Sequence, residues 1–432
     1  MPAKDLFNGS DCHPQESRLP NRQSSCLDVR RFFSMGAFSG LLSGALAFSF
    51  CSAVHGLGFR IPNQDAEAIA RGNAFVATAD NPSAIYYNPA GIVQLEGHNV
   101  RVGAHLLTVE SSYRSPLGGQ TESKTGPQAV PQLYYVNAPK GEPYAWGLGI
   151  YAPFGLALEW PDTSGFSTLG QEGELLYATV NPVLAWKLTD RLDIAFGPTI
   201  NRGDLNIKQA VPLVPGGQFE FDGTDTQLGF TLGMMWRPID KWSVGLSYHS
   251  ATTMDFKGQT QLNGIAPAES AIGTVDFPDF IKAGISYRPN PRWNFEIGID
   301  WTDWDGLDAV VIEQSISGQV LFPLNWQSSV LVHAGASRYF DNGYWLAAGY
   351  FFSENSVTEL NFNPLVPDTD LHVGSLGVGS RVGRWQWALS GQLITGPSRD
   401  VSGSLPSLFG ESADGNYQWF NFGVNFAVQA QF

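Results

Sequence analysis

Little in this chain suits a soluble enzyme. It has three cysteines in 432 residues, Cys12, Cys26 and Cys51. All of them precede the point where a leader would be cut, which leaves no thiol for a disulfide framework, a zinc site or a nucleophile. Charged residues make up only 15% of the chain, against about a quarter in ordinary soluble domains. Beyond residue 56 no apolar run is long enough for a helical membrane span. The Gly-x-Ser-x-Gly elbow, the His-Glu-x-x-His helix, the phosphate loop and the dinucleotide fingerprint are all missing. The segment Gly377-Val378-Gly379-Ser380-Arg381-Val382-Gly383 has the wrong spacing for the last of these. No catalytic residue, metal ligand or cofactor is therefore expected. His105, His249 and His333 stand alone and read as lumen-facing polar groups. Asp300, Asp303 and Asp305 before Gly306 do not have calcium-loop spacing and read as a solvated strand end. A Ser/His pair assembled between strands stays open at this point.

Basic residues are also few. The net charge is -15, and removing residues 1–56 leaves 20 basic against 36 acidic side chains. Such a balance argues against nucleic acid as a partner and by itself names no ligand.

What is abundant is glycine (48 residues) and aromatics (13%), at a mean hydropathy of only -0.10. The last sixteen residues, YQWFNFGVNFAVQAQF, explain how these fit together. Phe420, Phe422, Val424, Phe426, Val428 and Ala430 fall on one face. Asn421, Gly423, Asn425, Ala427, Gln429 and Gln431 fall on the other. Period two with one greasy and one polar face is what a membrane-barrel strand requires, since one side meets lipid and the other a polar lumen. A half-buried strand of a soluble sandwich would share the pattern in this segment alone.

The N-terminal 56 residues read as a targeting segment. Arg30 and Arg31 precede an uncharged run from Phe32 to Val54, followed by small residues that place a cut after Ala53 or Gly56. An uncleaved anchor is the other reading of that run. The polar stretch before Arg30 is long for a leader, so either it is an extension or translation starts later. Arg30-Arg31-Phe32-Phe33 matches a twin-arginine signal only in part, and Phe50 before Cys51 disfavours a lipid anchor.

Residues 57–96 are rich in alanine and turns, with a short helical pattern from Asp65 to Val76, and are too short to fold alone. From Gly97 to Phe432 the chain alternates strand and turn. Compact turns at 189–191, 238–241, 289–292, 341–343 and 382–384 alternate with longer polar connections near 111–128, 156–174, 208–224, 257–275, 305–325, 353–370 and 397–416. That asymmetry is the one between periplasmic turns and extracellular loops. The expected fold is all-β: a transmembrane antiparallel barrel of about fourteen strands, with residues 57–96 packed against or inside it. Trp186, Trp236, Trp242, Trp293, Trp301, Trp304, Trp326, Trp345, Trp385 and Trp387 lie at strand ends and are expected in interfacial girdles.

Two segments stand out. Asn88-Pro89-Ala90-Gly91 forms a turn, because proline fixes its own φ and biases Asn88 towards extended backbone. Tyr151-Ala152-Pro153-Phe154-Gly155 interrupts a strand, because Pro153 has no N–H for a ladder and Gly155 adds no packing. A kink in the wall and the plain end of a strand are both compatible with it.

These residues resemble the FadL-type outer-membrane transporters of long-chain fatty acids and related hydrophobic compounds. Gly58-Phe59-Arg60, the alanine-rich stretch Ala66 to Ala79, Tyr87 to Gly91, Gly149 to Gly155, Val180 to Ala185, Trp301 to Trp304 and terminal Phe432 follow in that family's order. The resemblance implies a fourteen-stranded barrel of a Gram-negative outer membrane, with residues 57–96 as a hatch. It implies passive uptake of a fatty acid or other hydrophobic molecule. Phe59 would lie by the ligand pocket, Asn88, Pro89, Ala90 and Gly91 would take part in gating, and Pro153, Phe154 and Gly155 would mark a lateral exit into the bilayer. Phe432 is the expected handle for the barrel-assembly machinery, and membrane lipid the expected surround. An aromatic-hydrocarbon channel, a general porin and a barrel lipase are the alternatives.

Overall fold

The computed structural model describes residues 57–432, so the leader expected at 1–56 lies outside the described residues. Fourteen antiparallel strands close into a barrel. They are β1 (Gly97–Leu107), β2 (Gln128–Ala138), β3 (Tyr144–Glu159), β4 (Glu172–Thr189), β5 (Leu192–Ala210), β6 (Gln218–Trp236) and β7 (Trp242–His249 with Thr252–Asn263). Then come β8 (Ala266–Phe277 with Phe280–Asn290), β9 (Trp293–Thr302 with Ala309–Gln314), β10 (Gly318–Pro323 with Ser329–Tyr339), β11 (Tyr344–Ser353), β12 (Leu371–Val382), β13 (Trp385–Thr395) and β14 (Gly415–Gln431). The ring closes where β14 returns to β1, in a register from Asn99 opposite Gln431 to Leu107 opposite Gly423. Closure pairs the first strand with the last, so neither is left as a free edge in hydrocarbon.

The C-terminal strand behaves as its sequence requires. Phe420, Phe422, Val424 and Phe426 are exposed on the outer face, while Asn421, Gly423, Asn425 and Gln429 are turned inward. The tight turns all fall at one end of the barrel, as expected. The other end differs most from expectation at three places, and 111–128 also holds a short hairpin of Ser111–Arg114 with Gln120–Glu122. Segments 208–224, 257–275 and 305–325 are strand hairpins rather than long loops. The physical reason is visible along β5. Its outward residues Ile194, Phe196 and Ile200 give way to Arg202, Asp204 and Lys208, while its inward residues change from Asp193 and Thr199 to Leu205 and Ile207. The period is unbroken and the polarity inverts, because above the bilayer the outer face meets water and the inner face encloses an apolar space. A polar outer face reads locally as loop.

Residues 57–96 fill the barrel. They contain two short helices, α1 (Ala66–Ala70) and α2 (Ala84–Tyr87), and a 3-10 turn at Pro89–Gln94. The helix expected across Asp65–Val76 stops early, since Gly72 (φ 63°) and Asn73 (φ 65°) turn the chain left-handed. Asp65 caps α1 by accepting from the amide of Glu67 at 3.0 Å. The plug is bonded to the wall by side chains of several strands. Asp65 pairs with Arg101 of β1, Glu67 with Arg381 of β12, and Thr78 bonds to Glu296 of β9.

The girdle expectation needs correction at three tryptophans. Trp186, Trp236, Trp242, Trp301 and Trp385 are exposed on the outside, but Trp304, Trp326 and Trp345 are buried. Trp345 faces inward from β11 against Ala66 and Ala70 of α1. Trp304 and Trp326 sit at breaks in β9 and β10, where the chain turns into the lumen. A strand break next to a tryptophan looks the same in sequence whether the ring faces lipid or core.

Candidate functional site

The site begins with the first residues of the plug. Gly58 takes φ 55°, and a side chain there would collide with Trp326, so the chain can pass close beneath that ring only as glycine. The ring of Phe59 then meets Trp304 (4.8 Å between centroids), Trp326 (5.2 Å), Phe277 (5.6 Å) and Phe154 (6.1 Å). Above it is an apolar pocket, lined among others by Leu175, Leu205, Phe277, Phe322 and Leu365, with Asn363 as its one polar lining residue. The inverted upper portions of the strands build this pocket.

Arg60 turns the other way. Its Nη2 donates to Asp300 Oδ2 at 2.7 Å and its Nη1 to Thr302 Oγ1 at 2.9 Å, both buried. Asp300 also faces His333 Nε2 at 3.3 Å. The aspartate read as a strand end is thus the anchor of the plug. The histidines are lumen-facing as expected, and each touches a polar partner. His249 Nε2 lies 3.0 Å from the carbonyl of Tyr86, and His105 Nε2 lies 3.4 Å from Asn63 Nδ2. No group of three or more metal-binding side chains occurs among the described residues.

The wall beside Phe59 is incomplete. Strands β2 and β3 pair from Asn137 opposite Trp146 to Leu133 opposite Ile150, and no further. On its other side β3 stays paired with β4, with a bulge between Tyr151 and Phe154. Pro153 and Gly155 therefore mark a bulge within a continuing strand, not its end. Above the break the wall meets again, where Lys124 N donates to Glu159 O at 2.8 Å. Between these limits the plug supplies the partners. Gly155 N donates to Phe59 O at 2.9 Å and Ile61 N to Pro153 O at 2.7 Å, with Arg60 and Phe154 forming an antiparallel bridge. Gln64 Nε2 donates to Ala152 O at 2.6 Å.

Asn88 sits elsewhere, against β6. Its Nδ2 donates to Val76 O at 2.8 Å and to Met234 O at 2.9 Å, and its Oδ1 accepts from Ala90 N at 3.2 Å. Pro89 opens the 3-10 turn, and Gly91 lies against Ala79 so closely that a side chain would not fit. Two tyrosines of α2 connect this corner to the N-terminal segment. Tyr87 OH donates to Pro62 O at 3.1 Å and accepts from Gln64 N at 3.0 Å, while Tyr86 OH donates to Ile61 O at 3.4 Å. The structure thus brings Phe59 together with Pro153, Phe154 and Gly155, and joins Asn88 to Gly91 to them through Tyr86 and Tyr87. Sequence reasoning passed over Gln64 and Tyr86, took Tyr87 only as part of the Tyr87 to Gly91 motif, and read Asp300 as a solvated strand end. The one available signal was that both tyrosines immediately precede Asn88-Pro89.

A closed fourteen-stranded barrel plugged by its own residues 57–96, with an apolar pocket on top and a gap in its wall, defines an outer-membrane transport barrel. The chain belongs to the family described as outer membrane protein transport protein (OMPP1/FadL/TodX), whose pattern it matches over residues 48–384. It lies in the outer membrane of a Gram-negative cell. It is 24% identical over 346 residues to the long-chain fatty acid transport protein of Escherichia coli K12, covering 68% of this chain and 77% of that one. Its fold is similar to a Pseudomonas aeruginosa FadL homologue (TM-score 0.79, 16% identity, 87% of this chain and 100% of that one). It is also similar in fold to the Pseudomonas putida toluene transporter TodX (TM-score 0.70, 17% identity, 88% and 99%).

Proposed function

We propose that this protein admits long-chain fatty acids or other hydrophobic compounds through the outer membrane passively, and releases them sideways into the bilayer. One observation carries the reading: Phe59 floors the apolar pocket with its ring and closes the wall with its backbone oxygen. A ligand that settles in the pocket and displaces Phe59 removes the partner of Gly155 at the same time. The gap between β2 and β3 then opens beside Pro153 and Gly155. An apolar molecule gains by entering hydrocarbon there rather than crossing the polar lower lumen, at roughly 25 cal/mol per Å² of apolar surface kept from water. Binding drives this change only to the extent that it favours the displaced state.

The pocket lining, apolar save for Asn363, also supports a second reading, an uncharged aromatic hydrocarbon as ligand. In either case the chain works as a transporter with no catalytic step and no cofactor. Residues 1–56 act as the removable leader, 57–96 as the hatch and 97–432 as the barrel, with Phe432 presented to the barrel-assembly machinery and the outer face to lipid. Uptake of labelled oleate and labelled toluene by cells lacking their own transporter, with and without this chain, tests the reading. Uptake of neither by a correctly inserted barrel would overturn it.

A further inference from the structure

We propose that Gln64 is the positioning residue that holds the wall shut, its side-chain amide standing in for the missing strand opposite Ala152. The inference rests on the lateral route described above.

Gln64 is wholly buried, and its amide meets the backbone of Ala152 from both sides. Nε2 donates to Ala152 O at 2.6 Å, and Oε1 accepts from Ala152 N at 3.4 Å. This is the two-bond ring that facing residues of an antiparallel ladder exchange through their backbones. Nε2 also donates to Ile61 O at 2.9 Å, which fixes the amide's orientation. The backbone that carries Gln64 is itself clamped. Tyr134 OH donates to Gln64 O at 3.0 Å, and Tyr87 OH accepts from Gln64 N at 3.0 Å. The neighbouring Asn63 has no side-chain bond to Ala152: its Oδ1 accepts from Asn73 Nδ2 at 2.7 Å within the plug, and its backbone oxygen accepts from Gln132 Nε2 of β2 at 3.4 Å.

Three successive contacts therefore line the gap: Phe59 with Gly155, Ile61 with Pro153, and Gln64 with Ala152. The first two are backbone bonds next to the pocket, where a ligand acts directly. The third is a side chain further along, anchored by tyrosines of β2 and α2. Displacing Phe59 frees Gly155, yet Ala152 stays pinned until the Gln64 amide lets go. Once it does, Ala152 has unpaired groups beside lipid, which confines the open state to the time a ligand occupies the gap. Gln64 thus sets how readily the window opens.

The test uses the full chain in liposomes, with Cys12, Cys26 and Cys51 replaced by serine and a single reporter, Ala152→Cys, in the gap. Pyrene maleimide, which partitions into lipid, reads how often the window opens. Gln64→Leu is expected to raise the labelling rate about tenfold, the loss of roughly one net hydrogen-bond increment. Gln64→Glu is expected to label like the parent near pH 5.5, where a carboxylic acid O–H donates to Ala152 O. It should label like Gln64→Leu near pH 8.5, where a carboxylate repels that oxygen, each compared with the parent at the same pH. Equal rates in all three proteins would overturn the role of Gln64. If Gln64→Leu fails to give a heat-modifiable barrel, the two pH values of Gln64→Glu decide the matter alone. Uptake of labelled oleate and of labelled toluene is measured in parallel. Faster labelling without uptake by the parent would sink the transport reading and leave Gln64 as the wall's closure, whereas uptake with unchanged labelling would sink Gln64.

Discussion

Arg60 of the plug and Asp300 of β9 form a buried ion pair, Nη2 to Oδ2 2.7 Å apart. It joins residues 240 apart in sequence. Both groups are dry, so removing one strands the other. Arg60→Leu is expected to weaken the docking of residues 57–64 by about 3–5 kcal/mol. Hydrogen exchange of that segment would show it as lost protection. Removing Asp300 as well should restore part of the loss, and purely additive effects in the cycle would count against direct coupling.

Asn88 gives both its amide hydrogens to carbonyls, one in the plug and one in β6. Asn88→Ala leaves two buried oxygens without that donor and should cost about 1–3 kcal/mol in plug stability. Deleting Asn88 to Ala90 should go further and reduce uptake while the barrel stays heat-modifiable. Unchanged uptake after the deletion would separate this corner from gating.

Gly155 leaves room for Ile61, since a Cβ there would come within 2.8 Å of Ile61 Cδ1. Replacing Pro153 with valine and Gly155 with alanine restores an N–H and pushes Ile61 away, so β3 can straighten towards β2. Uptake should fall at least about tenfold, and ligand binding in the pocket, followed by tryptophan quenching, should persist. If uptake survives, the gap beside Pro153 is not the exit.

Asp368, in the loop between β11 and β12, accepts from Gly58 N at 3.0 Å, and burial raises its carboxyl to about 7. Because the folded value lies above the ordinary one, this group favours the packed state at low pH, and the advantage is lost as pH rises towards 7. Protection of residues 57–61 should fall by up to about tenfold per pH unit across that window, the slope of one proton. Asp368→Asn should flatten the profile, and a profile unchanged by that substitution would dissociate the loop from the plug.

Several features were legible because they repeat locally. The alternation from Phe420 to Ala430 named the lipid face, and the compact turns named one end of the barrel. Pro153 and Gly155 announced a break, since Pro153 has no N–H for a ladder and Gly155 adds no packing. Other features were hidden for equally physical reasons. The 208–224, 257–275 and 305–325 hairpins read as loops because their outer faces meet water. Trp304 and Trp326 read as girdle residues because a ring at a strand break carries no mark of which way it turns. Gln64 looked like one polar residue among many.

By itself the sequence determined the two-residue period of strands such as the C-terminal one, which of its faces meets lipid, and where a proline interrupts a ladder. Those are properties of a residue and its near neighbours. Only the tertiary structure decided that β14 meets β1, that Asp300 receives Arg60, and that the gap between β2 and β3 is filled by Phe59, Ile61 and Gln64. These depend on closure of the whole ring around the plug, which brings together residues about 90 to more than 300 positions apart, beyond the reach of any local pattern.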